Sequence, residues 1–252
     1  MLNIGIFIPA RNVSKTLNNT LDRIPEDIKK NVKEIFILDN DSVDATYNTA
    51  IEYKIKNKLH NLKIYKNDTN LGYGGNQKKA YDYAIDQNFE IIVMLHGDAQ
   101  YAPEYLPQIL QPLIDGQADM VFGSRFISNP LKGGMPLWRY IGNKILTKIE
   151  NLILSTNLSE FHSGYRAFSI SALKKLPFEK LSNNFQFDTE IIIQFVQGNM
   201  KISEVDIPTH YAKESSSISI SELCTYSTNI LINMIKFFFH KKNIWKQEKF
   251  II

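Results

Sequence analysis

Asp98 is the residue whose type and position could support metal-assisted chemistry. It closes a short apolar run and lies in the segment His96-Gly97-Asp98-Ala99-Gln100. A carboxylate at a strand end, followed two residues later by the Gln100 amide, offers two oxygen ligands from one side. Mg²⁺ and Mn²⁺ accept such ligands and fill their other positions with phosphate oxygens and water. A turn in which Asp98 caps the next helix fits the same residues, so both interpretations stay open at this point.

Polar or glycine-containing segments also follow four other apolar runs. They are Pro9-Ala10-Arg11-Asn12, Asp39-Asn40-Asp41-Ser42, the residues from Asn70 to Asn76, and Gly123-Ser124-Arg125. In open parallel sheets, ligands bind in the crevice outside the carboxyl ends of the strands. These segments therefore predict one binding crevice built from several strand ends.

The apolar runs and the segments between them predict the elements that position these residues. The predicted strands cover 4–8, 34–38, 62–65, 90–95, 120–123, 165–169 and 201–207. The predicted helices cover 14–23, 44–56, 75–88, 103–115, 137–155, 189–197 and 219–240, and Ser14 and Asp44 are the expected N-caps of the first two. Alternation of strands and helices indicates an α/β fold with a mostly parallel sheet and helices on both faces.

Composition and charge exclude several other classes of protein. The 252 residues are 44% hydrophobic and 22% charged, as in an ordinary globular domain, and the single Cys224 excludes an intramolecular disulfide. Five lysines and one glutamate give residues 236–252 a charge of +4, which leaves −1 for the rest of a chain whose net charge is +3. A general nucleic-acid surface is therefore not expected. No signal-peptide pattern or membrane-spanning apolar run is present, so we expect a cytoplasmic protein, free or peripherally attached to a membrane.

Motifs of other enzyme classes are missing, whereas one family is matched in order along the chain. The sequence has no G-x-x-x-x-G-K-[ST] loop, no G-x-G-x-x-G after the first strand, no G-x-S-x-G and no H-E-x-x-H. Its segments resemble the family 2 glycosyltransferases, especially the dolichyl-phosphate mannosyltransferase-like branch. The matching segments are IFIPARN, ILDNDSVDAT, NLGYGGNQKKAYDYA, LHGDAQYAPE, FGSRF, FHSGYRAFS, FDTEIIIQ and ISEVDIP.

That resemblance implies a fold and an activity. The fold would be GT-A, a Rossmann-like α/β domain over residues 1–215, followed by a C-terminal amphipathic helix and basic tail over 216–252. The activity would be inverting transfer of a sugar from a UDP- or GDP-sugar to a glycan or polyprenyl-phosphate acceptor, with Mg²⁺ or Mn²⁺ as the cofactor.

The resemblance also implies roles for individual residues. The nucleotide would be bound by Pro9, Ala10, Asp39, Gly72, Gly75 and Lys78. The metal would be held by Asp98, Gln100 and His96. Phosphate charge would be faced by Arg125 and Arg166. A hydroxyl acceptor would need a general base, for which the candidates are Glu160, His162, Asp188 and Glu190, whereas a lipid phosphate would need none.

His96 stands where the family usually has an acid, and this departure keeps a second hypothesis open. A catalytically inactive relative would bind a nucleotide or glycan without turnover. A sugar nucleotidyltransferase is a third hypothesis, but it would need a basic glycine-rich loop directly after the first strand. Pro9-Ala10-Arg11-Asn12 does not supply such a loop.

The C-terminal third of the sequence holds two further features. Residues 210–217 are polar, and they predict either a lid over the donor site or an ordinary surface connection. The helix predicted at 219–240 has a polar stripe of Asn229, Asn233, Lys236 and His240, and an apolar face of Ile230, Leu231, Met234, Ile235, Phe238 and Phe239. Residues 219–252 therefore predict contact with an anionic membrane surface, with the catalytic domain, or with a second copy in a homo-oligomer.

Overall fold

The computed structural model describes residues 2–128, 130–208 and 220–252, and it describes their side chains except those of residues 2 and 220–224. One seven-stranded sheet runs through the domain in the order β3-β2-β1-β4-β6-β5-β7. Its strands are β1 Leu2–Ala10, β2 Val32–Asp39, β3 Leu62–Lys66, β4 Ile91–Met94, β5 Met120–Ser124, β6 Arg166–Ser169 and β7 Ile202–Asp206. Only β6 runs antiparallel to its neighbours, so the predicted mostly parallel sheet is confirmed.

Helices follow most of the strands. They are α1 Leu17–Asp22, α2 Glu26–Asn31, α3 Thr46–Asn57, α4 Tyr73–Asp86, α5 Leu106–Ile114, α6 Leu137–Leu154, α7 Ile170–Leu173, α8 Phe187–Gln197 and α9 Ile220–Lys241. All the predicted helices are present, whereas α2 and α7 were not predicted because they are too short to show a helical period. Among the described residues, no helix combines the length and the apolar character that a membrane crossing requires.

Alternating strand residues bury both faces of the sheet. Phe7 and Phe36 pack on one face with α4, α8 and α9, while Ile6 and Ile37 pack on the other with α1, α3 and α5. This arrangement follows from the two-residue period of a strand, which sends successive side chains to opposite faces. Helices therefore cover both faces, as the sequence predicted.

Ser14 and Asp44 are not the N-caps of α1 and α3, and Asp44 instead connects two loops. Thr16 precedes α1, and the Ser14 hydroxyl donates to Asp44 Oδ2 at 2.6 Å. Ala45 precedes α3, and Asp44 Oδ1 accepts from the Thr46 N–H at 3.0 Å. Burial raises the pKa of Asp44, but the hydrogen bonds from Ser14 and Thr46 outweigh it and lower the pKa to about 2. The Asp44 carboxylate thus ties the loop after β1 to the loop after β2.

The C-terminal helix packs on the same core as the sheet. Phe237 is 1% exposed, and its ring centroid lies 5.4 Å from that of the buried Phe250. The predicted polar stripe is not the solvent face, because Asn233 is buried and accepts from Lys249 Nζ at 2.7 Å. The predicted lid and the domain boundary at 215/216 fall within 209–219, outside the described residues.

Two neighbouring phenylalanines of α9 test this docking. Phe237→Ala should lower the free energy of unfolding by about 3–5 kcal/mol, because it leaves a cavity in a packed core. Phe238 is 46% exposed and is the matched control, since Phe238→Ala should cost less than about 1 kcal/mol. Urea unfolding followed by circular dichroism measures both. Equal costs for the two variants would contradict the docking of α9.

Candidate active site

The carboxyl ends of β1, β2, β3 and β4 meet at one edge of the sheet because these strands are parallel neighbours. Backbone hydrogen bonds continue beyond the strands, from Asn40 N to Ala10 O at 2.8 Å and from Asn67 N to Asp39 O at 2.8 Å. Thr16 Oγ1 donates to Gly97 O at 2.9 Å and joins the loop after β1 to the loop after β4. The structure therefore brings Pro9, Ala10, Asp39 and the 96–100 segment to one strand-end crevice.

Asp39 is fully buried in this crevice, and only one of its two carboxylate oxygens has a hydrogen-bond partner among the described residues. Its Oδ1 accepts from the Ser42 N–H at 3.0 Å and from the Ser42 hydroxyl at 2.5 Å. Its Oδ2 has no hydrogen-bond partner among the described residues. An unpaired buried carboxylate oxygen costs free energy, and buried polar atoms without partners are uncommon in native proteins. Asp39 is therefore suited to accept a hydrogen bond from a ligand.

Sequence reasoning missed a buried asparagine network beside Asp39. Asn67 Nδ2 donates to Asn40 Oδ1 at 3.0 Å and to Asn76 Oδ1 at 2.9 Å. Asn40 Nδ2 donates in turn to Asn70 Oδ1 at 2.9 Å. These bonds join the ends of β2 and β3 to the start of α4. Their signal in the sequence was the clustering of asparagines at two predicted strand ends.

The glycines at the start of α4 allow another part of the backbone to approach closely. Gly72 has a φ of +78°, and a Cβ added there would lie 2.4 Å from the Asn183 carbonyl oxygen. The N–H groups of Gly74 and Gly75 both donate to that oxygen, at 2.8 and 3.2 Å. The observed close approach is thus made by the chain itself, and the nucleotide contact of Gly72 and Gly75 stays a prediction.

Lys78 does not point into open space. Its Nζ donates to Leu181 O at 2.6 Å and to Glu179 O at 3.1 Å. Burial lowers the pKa of Lys78, against the opposing charges of Glu190 and Glu179. The geometry favours a structural role that holds the turn before α8, and the phosphate contact of Lys78 stays a prediction.

Asp98 and Gln100 lie in one tight turn of the crevice. Asp98 Oδ1 accepts from the Gln100 N–H at 3.1 Å, and Ala99 between them has a φ of +58°. No group of three or more His, Cys, Asp or Glu side chains in the described ranges is arranged to hold a metal ion. One carboxylate and one amide fit an ion that takes most of its ligands from a diphosphate and water. They do not fit a resident metal centre.

His96 packs against Tyr73 and Tyr101, and its expected role as a metal ligand stays a prediction. Its Nε2 lies 3.3 Å from Tyr73 Oη, and a Cβ at Gly164 would meet that same nitrogen at 2.5 Å. Its ring also packs edge-on against Tyr101. Burial lowers the pKa of His96, with Asp98 and Asp188 opposing the shift. Asp98 and Gln100 share one turn, whereas the His96 ring contacts Tyr73, so the structure favours the first two as ligands.

Glu160 forms a buried ion pair and is not placed as a solvated general base. Its Oε1 accepts from the Arg125 backbone N–H at 2.5 Å, and its Oε2 accepts from Arg125 Nε at 3.0 Å and from Nη2. Glu160 is fully buried and Arg125 is 7% exposed. Both oxygens are thus engaged, and the pair fixes the chain just after β5. A base role for Glu160 is not supported.

Arg166 is fully buried, which corrects its expected contact with phosphate. It donates to the carbonyl oxygens of Ser163, Asp188 and Phe161 at 2.7, 2.5 and 2.8 Å. The Asp188 carboxylate accepts from Tyr73 Oη at 2.9 Å and from Gln77 Nε2 at 3.2 Å. The guanidinium therefore joins the loop before β6 to the start of α8.

His162 and Glu190, two further base candidates, are also engaged. His162 Nε2 lies 3.2 Å from Glu150 Oε2, and its Nδ1 lies 3.1 Å from Tyr226 Oη. Glu190 Oε1 accepts from Lys249 Nζ at 2.6 Å. The first cluster joins α6, the loop before β6 and α9, and the second joins α8 to the C-terminal residues. Neither side chain faces the strand-end crevice as a free base.

A mostly parallel sheet with buried acidic and amide side chains at neighbouring strand ends defines an α/β domain of the class that binds its ligand at the strand ends. The particular family follows from comparison with known proteins. The profile described as Glycosyl transferase family 2 matches residues 5–177, and the chain belongs to that family. The resemblance that the sequence motifs indicated is therefore confirmed, as is the GT-A fold.

Two relatives illustrate the family. The chain is 30% identical over 92% of its length to the UDP-N-acetylglucosamine–dolichyl-phosphate N-acetylglucosaminyltransferase of Methanococcus voltae, and it spans 96% of that protein. It is 22% identical over 82% of its length to the undecaprenyl-phosphate mannosyltransferase of Micrococcus luteus, covering 83% of that enzyme.

A solved structure shows the same fold. Glucosyl-3-phosphoglycerate synthase of Mycobacterium tuberculosis, crystallised with Mn²⁺, UDP and phosphoglyceric acid, superposes with a TM-score of 0.68. The match covers 93% of this chain and 78% of the synthase at 18% sequence identity.

The ion pair of Arg125 and Glu160 can be tested against an exposed pair. Glu160→Gln should lower the free energy of unfolding by about 3 kcal/mol, because it leaves a buried guanidinium without its counter-charge. The control is Glu104→Gln, since Glu104 pairs with Arg23 at side-chain exposures of 49% and 32%. That substitution should cost less than about 1 kcal/mol. If thermal unfolding were the same for both variants, Glu160 would not have the structural role assigned to it.

Proposed function

We propose that this protein transfers a sugar from a UDP-sugar to a polyprenyl phosphate, with inversion at the anomeric carbon. The observation that carries the proposal is the unpartnered, buried Oδ2 of Asp39, in the same crevice as Asp98. A nucleoside has the N–H and O–H groups that would satisfy this oxygen. The named activity of the Methanococcus voltae relative supports both the uridine donor and the lipid-phosphate acceptor.

The nucleotide end of the crevice is formed by the ends of β1 and β2. Ala10 pairs in register with Asp39, so the β1 backbone lies directly beside the carboxylate. Ser42 occupies Oδ1 and leaves Oδ2 for the base or ribose. Asp39 would thus orient the nucleoside, with Pro9 and Ala10 forming the adjacent wall.

The diphosphate would lie toward Asp98 and Gln100. These two residues would hold Mg²⁺ or Mn²⁺ together with the donor. When bound, the metal supplies positive charge against the diphosphate leaving group. Crystals of the Mycobacterium tuberculosis synthase with Mn²⁺ or Mg²⁺ and UDP support this cofactor.

The state of the base candidates favours a phosphate acceptor. A lipid phosphate is already an anion, so its oxygen can attack the anomeric carbon without losing a proton to the protein. A new bond forms from that oxygen to the carbon while the bond to the nucleoside diphosphate breaks. Because Glu160 and His162 are engaged in buried contacts, an acceptor that needs no base suits this site better than a hydroxyl. Such an acceptor lies in a membrane, so we propose that the enzyme acts as a peripheral protein at a cytoplasmic membrane face.

A donor panel tests the proposed reaction. Binding and slow hydrolysis should be seen with one UDP-sugar, and not with GDP-, CMP- or dTDP-sugars, and hydrolysis should stop in EDTA. Asp98→Asn should lower the metal-dependent rate by at least about 100-fold, because it removes the one carboxylate proposed to hold the ion. Asp86→Asn is the control, since Asp86 is exposed at the C-terminal end of α4, away from the strand ends. Metal-independent binding without turnover, with a short-chain polyprenyl phosphate present, would instead favour an inactive relative.

Asp39 can be tested separately by donor affinity. Asp39→Asn should weaken UDP binding about tenfold or more, because the amide carries half the acceptor capacity of the carboxylate and no charge. Isothermal titration of UDP measures the change, with Asp86→Asn again as the control. Unfolding in urea should be measured on the same samples to verify folding. If a folded Asp39→Asn variant bound UDP as tightly as the unmodified protein, the nucleoside assignment would be wrong.

A further inference from the structure

We propose that α6 and α9 together form a surface that docks on an anionic lipid membrane, with α6 as the half next to the active site. The inference extends the peripheral location proposed above to a stated set of residues. It rests on the proposed function in one respect: the lipid-phosphate acceptor is the reason that membrane docking would serve the reaction. The surface, called here the two-helix surface, consists of Leu137, Trp138, Ile141, Ile145 and Leu152 on α6 and Leu231, Ile232, Ile235 and Phe238 on α9.

The α6 residues form one stripe along the helix. Positions 137, 138, 141, 145 and 152 repeat at helical spacing, and their exposure ranges from 48% to 81%. The opposite side of α6 is anchored in the protein by Thr147, Glu150 and Leu154. An isolated exposed leucine needs no explanation, but a continuous apolar stripe on a helix marks an interaction site. The stripe includes Trp138, a residue type that favours the boundary between lipid and water.

The α9 residues form a second stripe beside the first. Leu231, Ile232, Ile235 and Phe238 are 37% to 52% exposed, while Ile230, Met234 and Phe237 on the other side are buried. The helix is thus apolar on both its core face and its outer face. Helices α6 and α9 contact each other, and Tyr226 of α9 reaches His162, which lies against Glu150 of α6. The two exposed stripes therefore lie on adjacent helices, which is the arrangement that the proposed surface requires.

The lysines that border the two-helix surface favour an anionic lipid membrane as its partner. Lys144 and Lys148 are exposed on α6 within the arc of its stripe, and Lys242 and Lys246 follow the α9 stripe together with Trp245. The one acid of α6, Glu150, is fully buried, and residues 225–247 contain none. Apolar side chains bordered by lysines fit acyl chains beneath anionic headgroups. In a symmetric dimer, each basic patch would face its own copy, so charge disfavours a second copy here.

The position of α6 connects this surface to the reaction. Phe126 directly follows Arg125, and its ring stacks on that of Tyr140 at 5.5 Å between centroids. Lys144 Nζ lies 5.1 Å from the centre of the Phe126 ring. The first turns of α6 thus pack on the segment that leaves the end of β5. Docking of the two-helix surface would bring this side of the active site to the headgroup layer, where a lipid phosphate is presented.

Vesicle sedimentation of the full chain tests the inference without donor or acceptor. The unmodified protein should sediment with vesicles of phosphatidylcholine and phosphatidylglycerol, and much less with phosphatidylcholine alone or at high salt. The double variant Ile141→Ser/Ile145→Ser should lose about tenfold or more in binding to the anionic vesicles, and Lys144→Glu/Lys148→Glu should lose a similar factor. Leu231→Ser/Ile235→Ser tests the α9 half in the same way.

The matched control lies on α3, away from this surface. Ile55 is 71% exposed and Lys56 is exposed next to it, so Ile55→Ser/Lys56→Glu removes the same kinds of side chain. It should leave vesicle binding unchanged. Three results would overturn the inference: no binding of the unmodified protein to anionic vesicles, binding by the α6 variants equal to that of the control, or a dimer in light scattering that the α6 substitutions dissociate.

Failure of the docking inference can be distinguished from failure of the proposed reaction. Transfer to a water-soluble, short-chain polyprenyl phosphate tests the reaction without a membrane. The α6 variants should retain this transfer while losing vesicle binding. Vesicle binding by a protein that transfers no sugar would leave docking supported and the proposed function wrong.

Discussion

The parallel pairing of β1 with β2 and β4 is the constraint on which the rest of the site depends. Ala10 pairs with Asp39, and Phe7 pairs with Met94, so three chain segments leave the sheet at the same edge. A shift of β2 by one residue would turn Asp39 to the other face of the sheet. The alternation of buried residues on both faces prevents such a shift, because the shift would move Phe36 and Ile37 each to the core on the opposite face of the sheet. Core packing thus determines where the Asp39 carboxylate lies.

Buried charges stabilise the irregular half of the domain. Arg166 donates to two carbonyls in the loop before β6 and to one in the first turn of α8, and the Arg125–Glu160 pair fixes the exit from β5. Buried pairs of this kind contribute little net stability but are costly to break, so they specify one arrangement of the loops. For the chemistry, this means that several ionisable groups near the predicted site serve to hold the backbone in place. Asp39, whose Oδ2 has no hydrogen-bond partner among the described residues, differs from these groups.

The fold could be predicted from the sequence almost completely, whereas the site could be predicted only in part. The strands have apolar runs and the longer helices have a clear period, and these local patterns are what pattern reasoning detects. The type and place of Asp39 and Asp98 followed from their position directly after such runs. The roles of Lys78, His96, Glu160 and Arg166 did not follow. Each depends on partners far away in sequence, such as Leu181 for Lys78 and Asp188 for Arg166.

The order of apolar and polar segments determined the α/β class and the strand ends at which polar residues gather, and the quoted motifs indicated the glycosyltransferase family by their resemblance to it. Tertiary structure decided which of the polar residues are available to a ligand and which are consumed inside the protein. It also decided which side of α9 faces outward, because an apolar residue in a helix can serve a core or an external surface equally well. The physical reason is the same in both cases. A side chain's type limits the contacts it can make, but burial and the identity of its neighbours select the contact that it does make.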